Sequence, residues 1–159
     1  MAEVSSVRGG VRLRLADYEV ELLDGLADEM RILLEADVPS IDPVKARLFP
    51  RAYEDPEEQA AYERLTGNDL LTTKSSALRQ VKVSLDEARG GVVLTDDALD
   101  AWLTFLTDIR LAIGTRLNVN EEVMAAAPDP DDPDAPALSA LHWLGMIQEL
   151  ILEELGGTA

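Results

Sequence analysis

Cysteine is absent from this 159-residue chain, so it can build no disulfide, thiolate metal site or thiol switch. Histidine occurs once, at His142. A zinc site needs three or four ligands from Cys, His and carboxylates, and a Ser-His-Asp relay needs a nucleophile in a setting such as G-x-S-x-G, which does not occur. His142 therefore reads as a residue on a helix face. Aromatic residues are scarce at 4%, leaving Leu, Val, Ile and Ala to form the core. No uncharged apolar run reaches the roughly 18 residues of a membrane span, and the first ten residues lack the apolar stretch of a secretory signal. The expected location is the cytoplasm. Neither G-x-x-x-x-G-K nor G-x-G-x-x-G is present, so the pairs Gly9-Gly10 and Gly90-Gly91 read as turns. Asp131, Asp132 and Asp134 lack the glycine and terminal glutamate of a calcium loop. The expectation is no catalytic set, no cofactor and no metal.

Positive charge is also in short supply, with 14 basic against 31 acidic residues and a net charge of −17. The deficit is uneven: residues 96–159 hold 13 acidic and two basic side chains. Such a field repels phosphate backbones and favours a basic protein partner or, as the simpler reading of any single acidic side chain, solubility. Lys74, Arg79, Lys82 and Arg89 form the one basic stretch. It reads first as a solvated face complementing the acidic C-terminal third, and second as a nucleic-acid contact.

What is present is largely helix. Val11, Leu13 and Leu15 alternate with Arg12 and Arg14, the period of a half-buried strand, and residues 92–95 follow a second Gly-Gly pair. These two segments are expected to pair as a ribbon with one face against helices. Asp17 is a plausible N-cap for a helix with inward Leu22, Leu23, Leu26, Met30, Leu33 and Leu34. Asp42-Pro43 and Asp55-Pro56 pair a capping acid with proline in the first turn, and Glu58 is placed to close a capping box. Asn68 is positioned to cap a helix over 68–87, with Leu70, Leu71, Ala77, Leu78, Val81 and Leu85 inward. Thr95 or Asp96 starts a helix ending near Leu117. Residues 120–127 read as a further helical turn. The proline-rich, acidic stretch 128–136 reads as an extended linker before a last helix over 138–155.

Residues 102–119, WLTFLTDIRLAIGTRLNV, are apolar around nearly the whole helical circumference yet carry Asp108, Arg110 and Arg116. A helix apolar on all sides belongs in the middle of a bundle, and charges there need partners. The expectation is a polar site or interface at Asp108, Arg110 and Arg116, with an arginine in a buried or half-buried ion pair. The last helix is apolar over a wide arc at Trp143, Met146, Ile147, Leu150 and Ile151. Core packing explains part of this arc, and as an equal alternative Trp143, Met146, Ile147 and Leu150 form a candidate interaction surface for another protein or a second copy.

Three stretches carry a family resemblance. They are Arg47-Leu-Phe-Pro-Arg-Ala-Tyr-Glu-Asp-Pro56 with Tyr62-Glu-Arg-Leu-Thr66, then Arg110-Leu-Ala-Ile-Gly-Thr-Arg-Leu117, then His142-Trp-Leu-Gly145 with Gln148-Glu149. Together the chain resembles the actinobacterial AosR-like family, catalogued as domain of unknown function 2017, across nearly its whole length. The resemblance implies a regulator of oxidative-stress transcription that acts with a sigma factor and is not an enzyme. A cysteine-based switch cannot be carried over to a chain without cysteine.

The resulting expectation is a mainly α fold: a single-domain helical bundle over 1–159 with a small two-stranded β-ribbon. Its function is expected to be non-enzymatic regulation through protein–protein contact, without direct specific DNA binding, cofactor or membrane. A homodimer is an open alternative for its association. Two readings compete: a DNA-binding repressor using the 68–87 helix, and an enzyme with carboxylates converging on Asp108.

Overall fold

The alternation at residues 11–15 folds as a strand with its Val and Leu side chains turned inward. The computed structural model describes residues 2–35, 42–50, 52–66, 69–120, 122 and 129–156. Strands β1 (Glu3–Val7), β2 (Gly10–Arg14) and β3 (Val92–Leu94) form an antiparallel sheet in that order. Val11 stands opposite Leu94 and Leu13 opposite Val92, so the expected pairing is present. The sheet has a third strand, however, which corrects the two-stranded expectation. β1 reads EVSSV and lacks a clean alternation because, as an edge strand, it covers little apolar surface. The turn into β2 runs through Gly9 at φ 91°, a left-handed conformation that glycine adopts without steric cost.

Gly10 is fixed by contact, since a Cβ there would lie 2.2 Å from the Leu94 carbonyl oxygen. Gly91, at φ +101°, sits where a Cβ would strike the Arg12 guanidinium. That guanidinium donates to the Gly90 carbonyl at 3.3 Å, and the Leu15 N–H donates to the Ala88 carbonyl at 2.8 Å. The sheet thus caps carbonyls at the end of the helix that precedes β3.

Six helices surround it among the described residues: α1 (Asp17–Glu35), α2 (Pro43–Leu48), α3 (Pro56–Thr66), α4 (Asp69–Ala88), α5 (Asp96–Arg116) and α6 (Ala135–Gly156). Asp42 caps α2 as expected, accepting from the Val44 and Lys45 N–H groups. In α3, the Asp55 carboxylate accepts from the Glu57 N–H at 3.3 Å. The cap of α1 differs from expectation. Ala16 occupies the cap position, its carbonyl accepting the first helical bond, while Glu19 reaches back to the Ala16 N–H at 2.9 Å. Asp17 is the first helical residue, because the reciprocal half of a capping box can fasten the start of a helix by itself. Gly67 and Asn68 lie outside the described residues, as do most of 120–127. Residues 129–134 form tight turns in which Asp129 and Asp132 accept from N–H groups two residues on. α6 then begins at Ala135, so Pro136 lies in the helix and not in the linker, in a first turn whose N–H needs no partner.

α5 packs on α4, α2 and α6, and α1 packs on α4. Leu99, Trp102, Phe105, Leu106, Ile109 and Ala112 of α5 are buried in one core with Leu78, Val81 and Leu85 of α4 and Leu144, Ile147 and Ile151 of α6. Trp102 is fully enclosed, and its indole N–H donates to Ser84 Oγ at 2.9 Å. Leu70 and Leu22, expected inward, are exposed. None of the described helices is long and apolar enough to cross a membrane.

Candidate functional site

Three polar centres emerge from this packing. The first is Asp108. Its side chain is 6% exposed and accepts from Lys74 Nζ of α4 at 2.6 Å; Lys74 is 11% exposed. Burial pushes the Asp108 carboxyl above its ordinary value, and the Lys74 ammonium pulls it back only in part. Neither arginine takes part, which corrects the expected Arg110 or Arg116 ion pair. Residues two apart on a helix point to nearly opposite sides, so Arg110 is turned away from Asp108. Arg110 and Arg116 are both exposed.

The second centre is Glu19, 1% exposed, which the sequence marks only as an acid favourably placed near the positive end of α1. Its carboxylate accepts from the Ala2 N–H at 3.1 Å, the Ala16 N–H at 2.9 Å and the Trp143 indole N–H at 2.9 Å. One buried side chain thus ties β1, the start of α1 and α6 together. Gln59, also buried, plays a smaller version of this role. Its amide oxygen accepts from the Ala52 and Tyr53 N–H groups at 2.9 and 3.0 Å and folds the preceding segment onto α3.

The third centre is a cleft of about 410 Å³ between α2, α5 and α6. Thr107, Arg110, Leu111, Gly114, Thr115 and Asn118 line it from α5 and its end, Arg47 from α2 and Leu141 from α6. The α5 residues recur at three- and four-residue steps, the spacing of one helix face. The end of α5 is closed by a Schellman turn. Val119 N–H donates to the Gly114 carbonyl at 2.9 Å and Asn118 N–H to Thr115 at 3.2 Å, with Asn118 at φ 52°. This turn places Val119 in the cleft wall.

Arg110 is held by a neutral network. Its Nη1 donates to Gln148 Oε1 at 2.8 Å, and Gln148 Nε2 donates to Thr107 Oγ1 at 2.8 Å. The guanidinium lies over Gly145, where an added Cβ would be 3.4 Å from Nη2. Arg47, Arg110 and Gln148 come from the three separate stretches that carry the family resemblance, and the fold brings them together here.

Of the candidate surface on α6, Ile147 is fully buried in the core and Met146 is 37% exposed. Trp143 and Leu150 are half-buried. The helix turns Ile147 inward with Leu144 and Ile151 at three- and four-residue steps, so that residue cannot belong to a free surface. His142 is exposed.

Most of the basic stretch is spent on pairs within the molecule. Lys82 Nζ sits 2.6 Å from Asp24 and 2.9 Å from Asp28, and Arg89 Nη1 lies 2.7 Å from Asp17. With Lys74 on Asp108, three of its four cations brace α4 against α1 and α5. Arg79 lines a second cleft of about 400 Å³ between α1 and α4 with Arg31 and Lys82; Arg31 and Lys82 there already face Asp28.

The architecture is thus a mainly helical bundle closed at one side by a three-stranded sheet, with a cleft at its central helix. This chain belongs to the family described as domain of unknown function DUF2017, whose pattern matches residues 1–155. The oxidative stress regulator AosR of Mycobacterium bovis is 26% identical over 187 aligned residues, covering 95% of this chain and 85% of that protein. The Mycobacterium tuberculosis protein of the same name matches to the same extent. An AosR relative from Mycobacterium leprae is 28% identical over 131 residues, and the match takes in 74% of this chain but 60% of that one. No solved structure matches.

Proposed function

We propose that this chain is a regulatory protein of the oxidative-stress type that acts by binding another protein, a sigma factor being the partner the family resemblance implies. The names of its relatives, which are those of regulators, support the regulatory role. One structural observation carries the choice of protein over DNA as target. Three of the four cations on and just after α4, the helix a repressor would use, are turned to Asp108, Asp24, Asp28 and Asp17. A DNA reader needs several phosphate contacts before base contacts can discriminate. A helix whose charges are neutralised from within offers few of them.

The acidic last third complements a basic partner surface, such as the nucleic-acid-facing side of a transcription subunit. Met146, with the half-buried Trp143 and Leu150, supplies apolar contact on α6. The test is co-elution of the purified full chain with purified sigma factors of its own host. The same protein is also titrated by anisotropy against promoter DNA at physiological salt. A stable complex with a sigma factor is expected. Sub-micromolar, sequence-selective DNA binding by the chain alone would replace this reading with the repressor.

A further inference from the structure

We infer that the cleft between α2, α5 and α6 is a binding site for a small organic anion, a carboxylate or phosphate attached to an apolar body. The inference stands independently of the partner proposed above. Arg110 is the centre of the site. Arg110 is exposed, and the partner that fixes it is the Gln148 amide oxygen. A neutral acceptor orients the guanidinium without cancelling its charge. Its remaining N–H donors keep the planar fork that matches an oxyanion in two bonds. Among the described residues, neither Arg110 nor Arg47 has a carboxylate within ion-pair distance. Lys74, Lys82 and Arg89, by contrast, are all engaged.

The rest of the cleft fits the same ligand. The Thr107 hydroxyl already accepts from Gln148, which leaves its own proton free to donate. The Asn118 side chain adds a further donor and acceptor, while Leu111, Val119 and Leu141 supply apolar wall. At about 410 Å³ the space suits a small molecule, within the range of roughly 300–1,000 Å³ for ligand pockets. Charge argues for a small ligand over an acidic protein segment. A net charge of −17 repels a polyanion over its whole length, whereas a single oxyanion meets that field once and two guanidinium groups at contact. A site of this kind would give a cysteine-free chain an input that needs no thiol.

The experiment titrates the full-length protein with phenyl phosphate and benzoate, with benzamide as the neutral control, while following the arginine Nε–Hε signals by NMR. Saturable shifts of Arg47 and Arg110 with both anions, and none with benzamide, are expected. Arg110→Gln and Arg47→Gln, both at exposed positions, should each weaken binding by about tenfold or more, the loss of a charge-assisted bond. Arg79→Gln, in the other cleft, should leave it unchanged. The proposal fails if the anions give no saturable shift, if benzamide binds as well, or if Arg79→Gln weakens binding as much as Arg110→Gln. A poly-glutamate peptide that binds where phenyl phosphate does not would also overturn it, in favour of an acidic protein segment.

Discussion

Removing Lys74 tests whether the Asp108 pair is a necessity of this core or a convenience. Lys74→Met keeps much of the side-chain volume and leaves Asp108, 6% exposed at its side chain, without its cation. Orphaning one member of a buried pair costs about 3–5 kcal/mol. Asp108 has one escape, which is to take up a proton. From an ordinary value of 3.8, protonation at pH 7 costs about 4 kcal/mol, so the penalty is capped near that figure. The cap falls by about 1.4 kcal/mol for each unit of pH below 7. In a domain of this size the loss lowers Tm by roughly 6–16 °C at pH 7, at about 2–4 °C per kcal/mol. Substituting both residues as Lys74→Met/Asp108→Leu removes the desolvation that already pushes the Asp108 carboxyl up. The double variant should match the parent within about 1 kcal/mol or exceed it. Urea unfolding of both single variants and the double at pH 7 and pH 5 closes the cycle. The reasoning is refuted if Lys74→Met stays within about 1 kcal/mol of the parent at pH 7, if its penalty does not shrink at pH 5, or if the double variant loses as much as the two singles together.

Three further outcomes are expected. Gly10→Ala forces a Cβ against the Leu94 carbonyl oxygen and should cost about 1–3 kcal/mol or more, read as a lowered urea midpoint. Trp143→Phe removes the indole donor to the buried Glu19 carboxylate and should cost about 1–3 kcal/mol, with Trp102 left as the reporter of core fluorescence. For Lys82→Met the signature is its pH dependence. Lys82 holds the Asp28 carboxyl below its ordinary value, and hydrogen bonds to Asp24 and Asp28 raise Lys82. The Asp28 contribution is present above its ordinary value and lost as pH falls through the lowered one. The Lys82 contribution is complete below its ordinary value and lost as pH rises through the raised one. Stability profiles of variant and parent should therefore run parallel at neutral pH and converge at both extremes; parallel profiles throughout would contradict the pairing.

The helices were legible because their signals are local: Asp42-Pro43 fixes a cap and a first turn, and the Leu and Val spacing of α4 marks its buried face. The pairing of β2 with β3 was legible as well, since alternating Val and Leu must find an apolar partner. β1 was not, because an edge strand of Glu, Val and Ser needs no apolar alternation. Ion-pair partners were the least legible. Asp108 on so apolar a helix demanded a cation, but which helix would supply it depended on how α4 lies along α5. Lys74 is 34 residues away in sequence, and a local reading favoured the arginines beside it. Glu19 was missed for a related reason. Near a helix start an acid has an adequate explanation in the dipole, and only the tertiary arrival of Ala2 and Trp143 makes it a buried junction.

The same distinction changes the meaning of the charge count. A net charge of −17 suggests that cations are spent on neutralisation, and along and just after α4 that holds for Lys74, Lys82 and Arg89, each of which meets an Asp. Arg110 departs from it. It lies in the most acidic third of the chain, where one other basic residue, Arg116, occurs, yet its fixed partner is an amide. If it served only to balance charge, a carboxylate at position 148 would do better, and Gln148→Glu would be stabilising. If its charge is kept for a ligand, Gln148→Glu should leave stability nearly unchanged, as exposed ion pairs contribute only about 0–1 kcal/mol. It should still weaken the phenyl phosphate response of Arg110 by occupying and neutralising the guanidinium. Measuring the urea midpoint and the anion titration on that one variant separates the two roles. A gain in stability with an unchanged titration would leave Arg110 as a structural charge.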